Sequence, residues 1–207
     1  MMTAMSGGGF MRGRVLKRRA RRLQRGRLSR FTAPMRTNIV LIGFMGSGKS
    51  SIGRLVAQGL RFQFIDTDAL VVERSGLEIA AIFAHHGEEH FRDLERSALE
   101  SCSVLTRAVL ATGGGVVVRE ENRALLHELG FVVQLTASED VIFERVSRNT
   151  KRPLLHTPDP RATVHTMLAA RQPLYDAAAQ FTIDTTKMPH ADAAEAIVAA
   201  ARTAFGW

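Results

Sequence analysis

From residue 38 onward the chain alternates between two periods. Short apolar runs of strand length, at 38–42, 62–66, 109–112, 131–135 and 181–183, are separated by longer stretches in which apolar residues recur every three or four positions. The longer stretches predict helices over 49–59, 88–105, 138–148, 161–176 and 191–204. Strands that alternate with helices predict a parallel sheet covered on both faces, a three-layer α/β/α fold with a central five-stranded sheet. Ligand sites in such a fold gather at the C-terminal ends of the strands. The pattern shows no internal repeat and no second domain.

Charge divides the chain differently. Of its 28 Lys and Arg, 11 fall within residues 1–36, which hold no acidic residue; the remaining 17 face all 20 acidic ones, so residues 37–207 carry a net charge of −3. The basic balance therefore belongs to the front of the chain and says nothing about the main activity. Residues 1–36 have too few apolar side chains to offset the entropy of ordering and are expected to be a disordered tail. A transit peptide, a nucleic-acid-binding arm and a start codon read too far upstream are the alternatives, the last because Met35 directly precedes the first strand. A single cysteine, Cys102, fits a reducing compartment, and its helical spacing with Phe91, Leu94 and Leu99 marks a buried apolar position. No run approaches the roughly 18 apolar residues of a membrane span, so a cytoplasmic protein with no membrane partner is expected.

The strongest chemical signal follows the first apolar run. Gly43-Phe44-Met45-Gly46-Ser47-Gly48-Lys49-Ser50 is a complete G-x-x-x-x-G-K-[ST] phosphate loop between a strand and a helix. Its backbone N–H groups and the helix N-terminus would face a polyphosphate, Lys49 would reach the β- and γ-phosphates, and Ser50 would ligate Mg²⁺. No N-K-x-D guanine-reading motif is present, which argues against a GTPase.

Later motifs narrow the substrate. Asp66-Thr67-Asp68 closes the second strand with two carboxylates expected on one side of an extended segment, one for magnesium and one for an attacking hydroxyl; a helix cap at Asp68 is the alternative. In Gly87-Glu88-Glu89-His90-Phe91-Arg92-Asp93-Leu94-Glu95, residues Phe91, Arg92 and Glu95 share a helical face, suited to a ligand carboxylate or to a surface ion pair. Gly113-Gly114-Gly115 would let a ligand approach the backbone. Arg145, Arg148 and the Pro-containing stretch from 149 to 160, with Arg152, suit a lid over the phosphates. Arg171 of Arg171-Gln172-Pro173-Leu174-Tyr175 interrupts the apolar stripe Val164, Met167, Leu168, Leu174 and needs an anionic partner, a substrate or a protein carboxylate.

This ordered set, phosphate loop, D-T-D, G-E-x-x-F-R-x-x-E, G-G-G, R-P-L-L and R-x-P-L-Y, resembles shikimate kinase over about 170 residues. The resemblance implies the fold of the nucleoside monophosphate kinases, with a lid around 148–160. It also implies magnesium-dependent transfer of the ATP γ-phosphate to the 3-hydroxyl of shikimate, in the pathway to chorismate and the aromatic amino acids. It assigns Asp68, Arg92, Gly114, Gly115 and Arg171 to shikimate, with Phe83, Phe91 and Glu95 shaping the pocket. ATP would meet Gly46, Ser47, Gly48, Lys49, Ser50, Ser51, Arg145 and Arg152; magnesium would meet Ser50 and Asp66. Lys49, Asp68 and Arg152 are the expected catalytic residues, and a monomer is the expected form. The rival readings are another small metabolite kinase, such as a gluconate kinase, and a non-catalytic nucleic-acid binder that uses only the basic tail.

Overall fold

Five parallel strands form one sheet in the order β2-β3-β1-β4-β5: β1 (Ile39–Ile42), β2 (Gln63–Asp66), β3 (Ala108–Ala111), β4 (Phe131–Thr136) and β5 (Phe181–Asp184). This computed structural model describes residues 37–148 and 157–207. The expected basic tail and the lid residues 149–156, Arg152 among them, lie outside the described residues.

Strand β1 is central, and all four of its residues are fully buried. Successive side chains of a strand point to opposite faces. Val40 and Ile42 accordingly join Leu110, Leu126 and Tyr175 in one core, while Ile39 and Leu41 join Ile52, Val133 and Ile197 in another. Each such side chain withdrawn from water is worth about 1.5–3 kcal/mol before ordering costs. The second core lies under α1 (Lys49–Leu60) and α7 (His190–Phe205). The first is covered by α3 (Ile79–Ser101), α4 (Glu120–Leu129), α5 (Glu139–Ser147) and α6 (Pro160–Ala178). The remaining helix, α2 (Thr67–Ser75), follows β2 directly.

Asn38 fastens the start of the central strand. Its amide donates to the carbonyls of Leu105 and Leu129 at 2.9 and 3.0 Å, and its Oδ1 accepts from Ala108 N at 3.0 Å. A fully buried amide is thus satisfied on both ends, at the point where β1, β3 and the end of α4 meet.

Two expectations need correction. The helix expected over 88–105 starts nine residues earlier, at Ile79, and ends at Ser101, where a single 3₁₀ turn (Cys102–Val104) takes over. Gly87, with φ 80° and ψ 177°, kinks it, which is why the hydrophobic period became legible only after that glycine. Asp68 is not part of an extended segment, because α2 already begins at Thr67 and Asp66 caps it by accepting from Asp68 N at 3.1 Å. Cys102 is buried as expected, and burial raises its thiol pKa. Among the described residues no helix is long and apolar enough to cross a membrane.

Candidate active site

The phosphate loop leaves the C-terminal end of β1, and its geometry depends on glycine. Gly46 and Gly48 sit at φ 82° and 97°, in the left-handed region that a side chain disfavours, which turns the loop back onto the N-terminus of α1. Lys49 begins that helix, and its ammonium donates to the carbonyls of Gly43 and Phe44 at 2.7 and 2.9 Å. Ser50 and Ser51 are exposed in the first turn. The Ser50 hydroxyl donates to Asp66 Oδ2 at 2.8 Å, so a hydroxyl and a carboxylate stand together at the head of the helix.

The far side of the loop is held by side chains from late in the chain. Thr185, fully buried just after β5, donates its hydroxyl to Ser47 O at 3.1 Å and to Thr136 O at 2.9 Å. Arg145 on α5 donates to Gly46 O and to Thr185 O, each at 3.1 Å. Beside them a cavity of about 430 Å³ is lined by Asp184, Thr186, Lys187 and Met188.

The second half of the site is charged and largely buried. Arg92 is 5% exposed along its side chain and Glu95 1%, and they pair at 2.9 Å; Glu88, one turn earlier, takes the Arg92 Nη2 at 2.7 Å. The alternative of a surface pair is thereby corrected, since the pair lies inside the molecule. Burial works against the Arg92 charge, but Glu95 and Glu88 outweigh it and its pKa is raised. Burial also raises the Glu95 carboxyl, which Arg92 offsets only in part. Phe91 lines the same place, with its ring 4.7 Å from that of Phe83 and 5.2 Å from the Arg92 guanidinium carbon.

The three glycines explain themselves here. A Cβ on Gly113 would lie 2.6 Å from both Asp68 Oδ1 and Glu95 Oε1, and one on Gly115 would lie 2.1 Å from Arg92 Nη1. One on Gly114 would approach Met45 N to 3.1 Å, so the same loop abuts the phosphate loop. The expected reason for the glycines was the approach of a ligand; the structure adds that the protein's own charged side chains occupy that space. Gly114 O accepts from the Tyr175 hydroxyl and from Arg171 Nη1, the latter at 3.3 Å. Among the described residues Arg171 forms no ion pair; its guanidinium carbon lies 5.9 Å from the centre of the Phe44 ring. The alternative of a protein carboxylate partner is therefore not met among the described residues. Burial pushes the Tyr175 phenol up to about 12, against an opposing effect of Arg171.

The structure thus brings Lys49, Ser50, Asp66, Asp68, Arg92, Glu95, Gly114, Gly115 and Arg171 to one end of the sheet, with Arg145 on the far side of the phosphate loop. Sequence reasoning assigned no role of their own to Glu88, Tyr175 and Thr185. The first sits one helical turn before Arg92 and was legible from spacing; Thr185 gives no local signal.

A phosphate loop rising from the central strand of an all-parallel sheet, with its helix opening on the loop lysine, is the frame of the P-loop kinases, and this chain is built on it. Comparison with known proteins makes the class specific. The chain belongs to the shikimate kinase family, whose model matches residues 45–202. A relative named shikimate kinase from Thermodesulfovibrio yellowstonii is 46% identical over 161 residues, 78% of this chain and 92% of that protein. A second, from Bordetella pertussis, is 47% identical over 151 residues, 73% of this chain and 72% of that protein. Among solved structures, a shikimate kinase from Acinetobacter baumannii in complex with shikimate superposes with a TM-score of 0.77 at 34% identity, covering 82% of this chain and 93% of that one. A gluconokinase from Sinorhizobium meliloti reaches 0.53 at 20% identity over 81% of this chain and 92% of that one, a likeness of fold alone.

Proposed function

We propose that this chain transfers the γ-phosphate of ATP to the 3-hydroxyl of shikimate, giving shikimate 3-phosphate and ADP, in the pathway to chorismate and the aromatic amino acids. The observation that carries the reading is the gathering of Arg92, Arg171 and Asp68 around three glycines that abut the phosphate loop. An acceptor held there by its carboxylate would present a hydroxyl toward the loop.

Each residue then has a defined task. Arg92 already commits three of its five N–H donors to Glu88 and Glu95, which fixes the guanidinium and leaves two donors for a ligand carboxylate. Arg171 donates one N–H to Gly114 O and has further donors to offer a carboxylate. Asp68 would accept the hydrogen bond of the attacking hydroxyl. Lys49 would exchange its two loop carbonyls for phosphate oxygens, and Arg152 would add its charge when the lid closes. Arg145 would pack against the adenine while tethering the loop.

Ser50 and Asp66, 2.8 Å apart, are a pair of hard oxygen donors, and they fit Mg²⁺, which takes one or two protein oxygens and completes its shell with phosphate and water. When bound, the ion would supply positive charge to offset that of the phosphates. We further infer a cytoplasmic monomer, to be checked by light scattering.

The test is ADP release measured with shikimate, with gluconate and without acceptor. Shikimate-dependent turnover is expected, and Arg171→Ala should weaken shikimate binding about 10- to 150-fold with little change for ATP. The amide analogue of shikimate should be a poor substrate that Arg171→Ala worsens far less. Equal turnover with gluconate, or an equal loss for acid and amide, would refute the assignment.

A further inference from the structure

The opposite end of the sheet carries a second concentration of charge that the reaction does not use. Arg61 and Arg107 stand just ahead of β2 and β3, paired neighbours whose first residues, Gln63 and Ala108, are in register. Arg202 lies in the last turn of α7 beside them. With Phe62 and Trp207 these three arginines line a cavity of about 450 Å³. That volume is in the range of sites for small ligands. Among the described residues none of the three forms an ion pair.

Two features separate this cluster from a merely solvated basic surface. Arg61 and Arg107, at φ 55° and 58°, are the only non-glycine residues with positive φ among the described residues. At Arg61 the left-handed turn caps α1, a position where glycine serves without steric cost. A bulky residue in that conformation is an outlier whose cost calls for a reason outside the backbone. The walls are aromatic as well: Phe62 and Trp207 meet edge to face at 5.7 Å, the Arg107 guanidinium carbon lies 5.5 Å from the Phe62 ring centre, and Trp207 remains 55% exposed.

We propose that this pocket is a binding site for a small aromatic anion, a flat ring bearing a carboxylate or a phosphate. The ring rests against Trp207 and Phe62, and the charged head takes paired N–H donors from the arginines, whose planar fork matches both head groups. The site is separate from the phosphate loop, which leaves the other end of β1.

Trp207 is the sole tryptophan of the chain, so its fluorescence reports this pocket alone. Phenyl phosphate and benzoate, titrated separately to distinguish the two head groups, should each be tried against inorganic phosphate and phenol, which lack the ring or the charge. A saturable change with at least one aromatic anion is expected, at least about tenfold tighter than with either control. The Arg61→Gly/Arg107→Gly variant should bind at least about tenfold more weakly while melting no lower than the parent, because glycine suits both turns. Arg202→Ala, which leaves those turns untouched, should weaken binding similarly and decides the matter if the glycine variant proves unstable. The proposal is overturned if neither anion gives a saturable response, if the controls bind equally well, or if Arg202→Ala binds as the parent does.

Discussion

Removing Arg92 should damage two properties that separate cleanly by pH. In Arg92→Ala the Glu95 carboxyl, 1% exposed, loses the guanidinium 2.9 Å away and is left buried without a counter-charge. Stranding a buried partner costs about 3–5 kcal/mol. A carboxyl of ordinary value 4.5 can escape by taking a proton, which at pH 7 costs about 3.4 kcal/mol at 1.36 per unit. The expected loss is thus roughly 3–4 kcal/mol at pH 7, plus whatever packing the arginine stem supplied. In both proteins the folded pKa of Glu95 lies above its unfolded value, so stability is fully present at low pH and lost as pH rises through the folded pKa. Without Arg92 that folded value climbs further, so the variant should lose up to about 1.4 kcal/mol more per pH unit than the parent between pH 5 and 7. Urea unfolding at the two pH values measures this directly. Replacing both partners by leucine should recover much of the stability, because an apolar pair avoids the buried charge, yet shikimate affinity should stay poor. A deficit independent of pH, or none at all, would refute the picture of Glu95 as a buried charge held by Arg92.

Three further outcomes follow from the site. Lys49→Ala and Asp68→Ala should each lower kcat/KM at least about a hundredfold with circular dichroism unchanged, since one preorganised charge at such a site is worth about 3 kcal/mol; near-normal turnover would refute their roles. Tyr175 is the only tyrosine, so the ultraviolet tyrosinate band should stay absent until pH approaches about 12 in the native protein. Because that value is raised from 10.0, the phenol's contribution to stability is intact below pH 10 and is lost as pH climbs toward the folded value, roughly 3 kcal/mol in all. Deleting residues 1–34 should leave turnover within about twofold, since every motif lies after them; a tenfold loss would place the tail within the working domain.

Much of the fold was legible because each strand is a compact apolar run bounded by polar or glycine residues. The shortfalls have physical causes. Helix α2 is nine residues long with adjacent valines, and the front of α3 carries His85 and His86 on an exposed stretch, so neither gives a clean helical period. The site motifs were legible as residue types but not as environments. Spacing put Arg92 and Glu95 on one face, yet only packing against the Gly113–Gly115 segment shows that the face is buried. Two aspartates two residues apart suggested one shared orientation; the capping preference of Asp66 turned the chain into a helix between them and gave them different neighbours. Thr185 was out of reach, because its partners Ser47, Thr136 and Arg145 come from a loop, a strand and a helix distant in sequence.

That last contact bears on when the protein becomes competent during synthesis. Ser47 and Thr185 are 138 residues apart, and the phosphate loop takes its outer support from Thr185 and Arg145. A nascent chain emerges from its front end, so the glycine loop is made early but its support arrives only once β5 has docked against β4. Nucleotide should therefore gain little hold on chains stopped before Phe181 and bind tightly once α7 has closed over the sheet, an order that a series of arrested chains probed with a fluorescent ATP analogue would reveal.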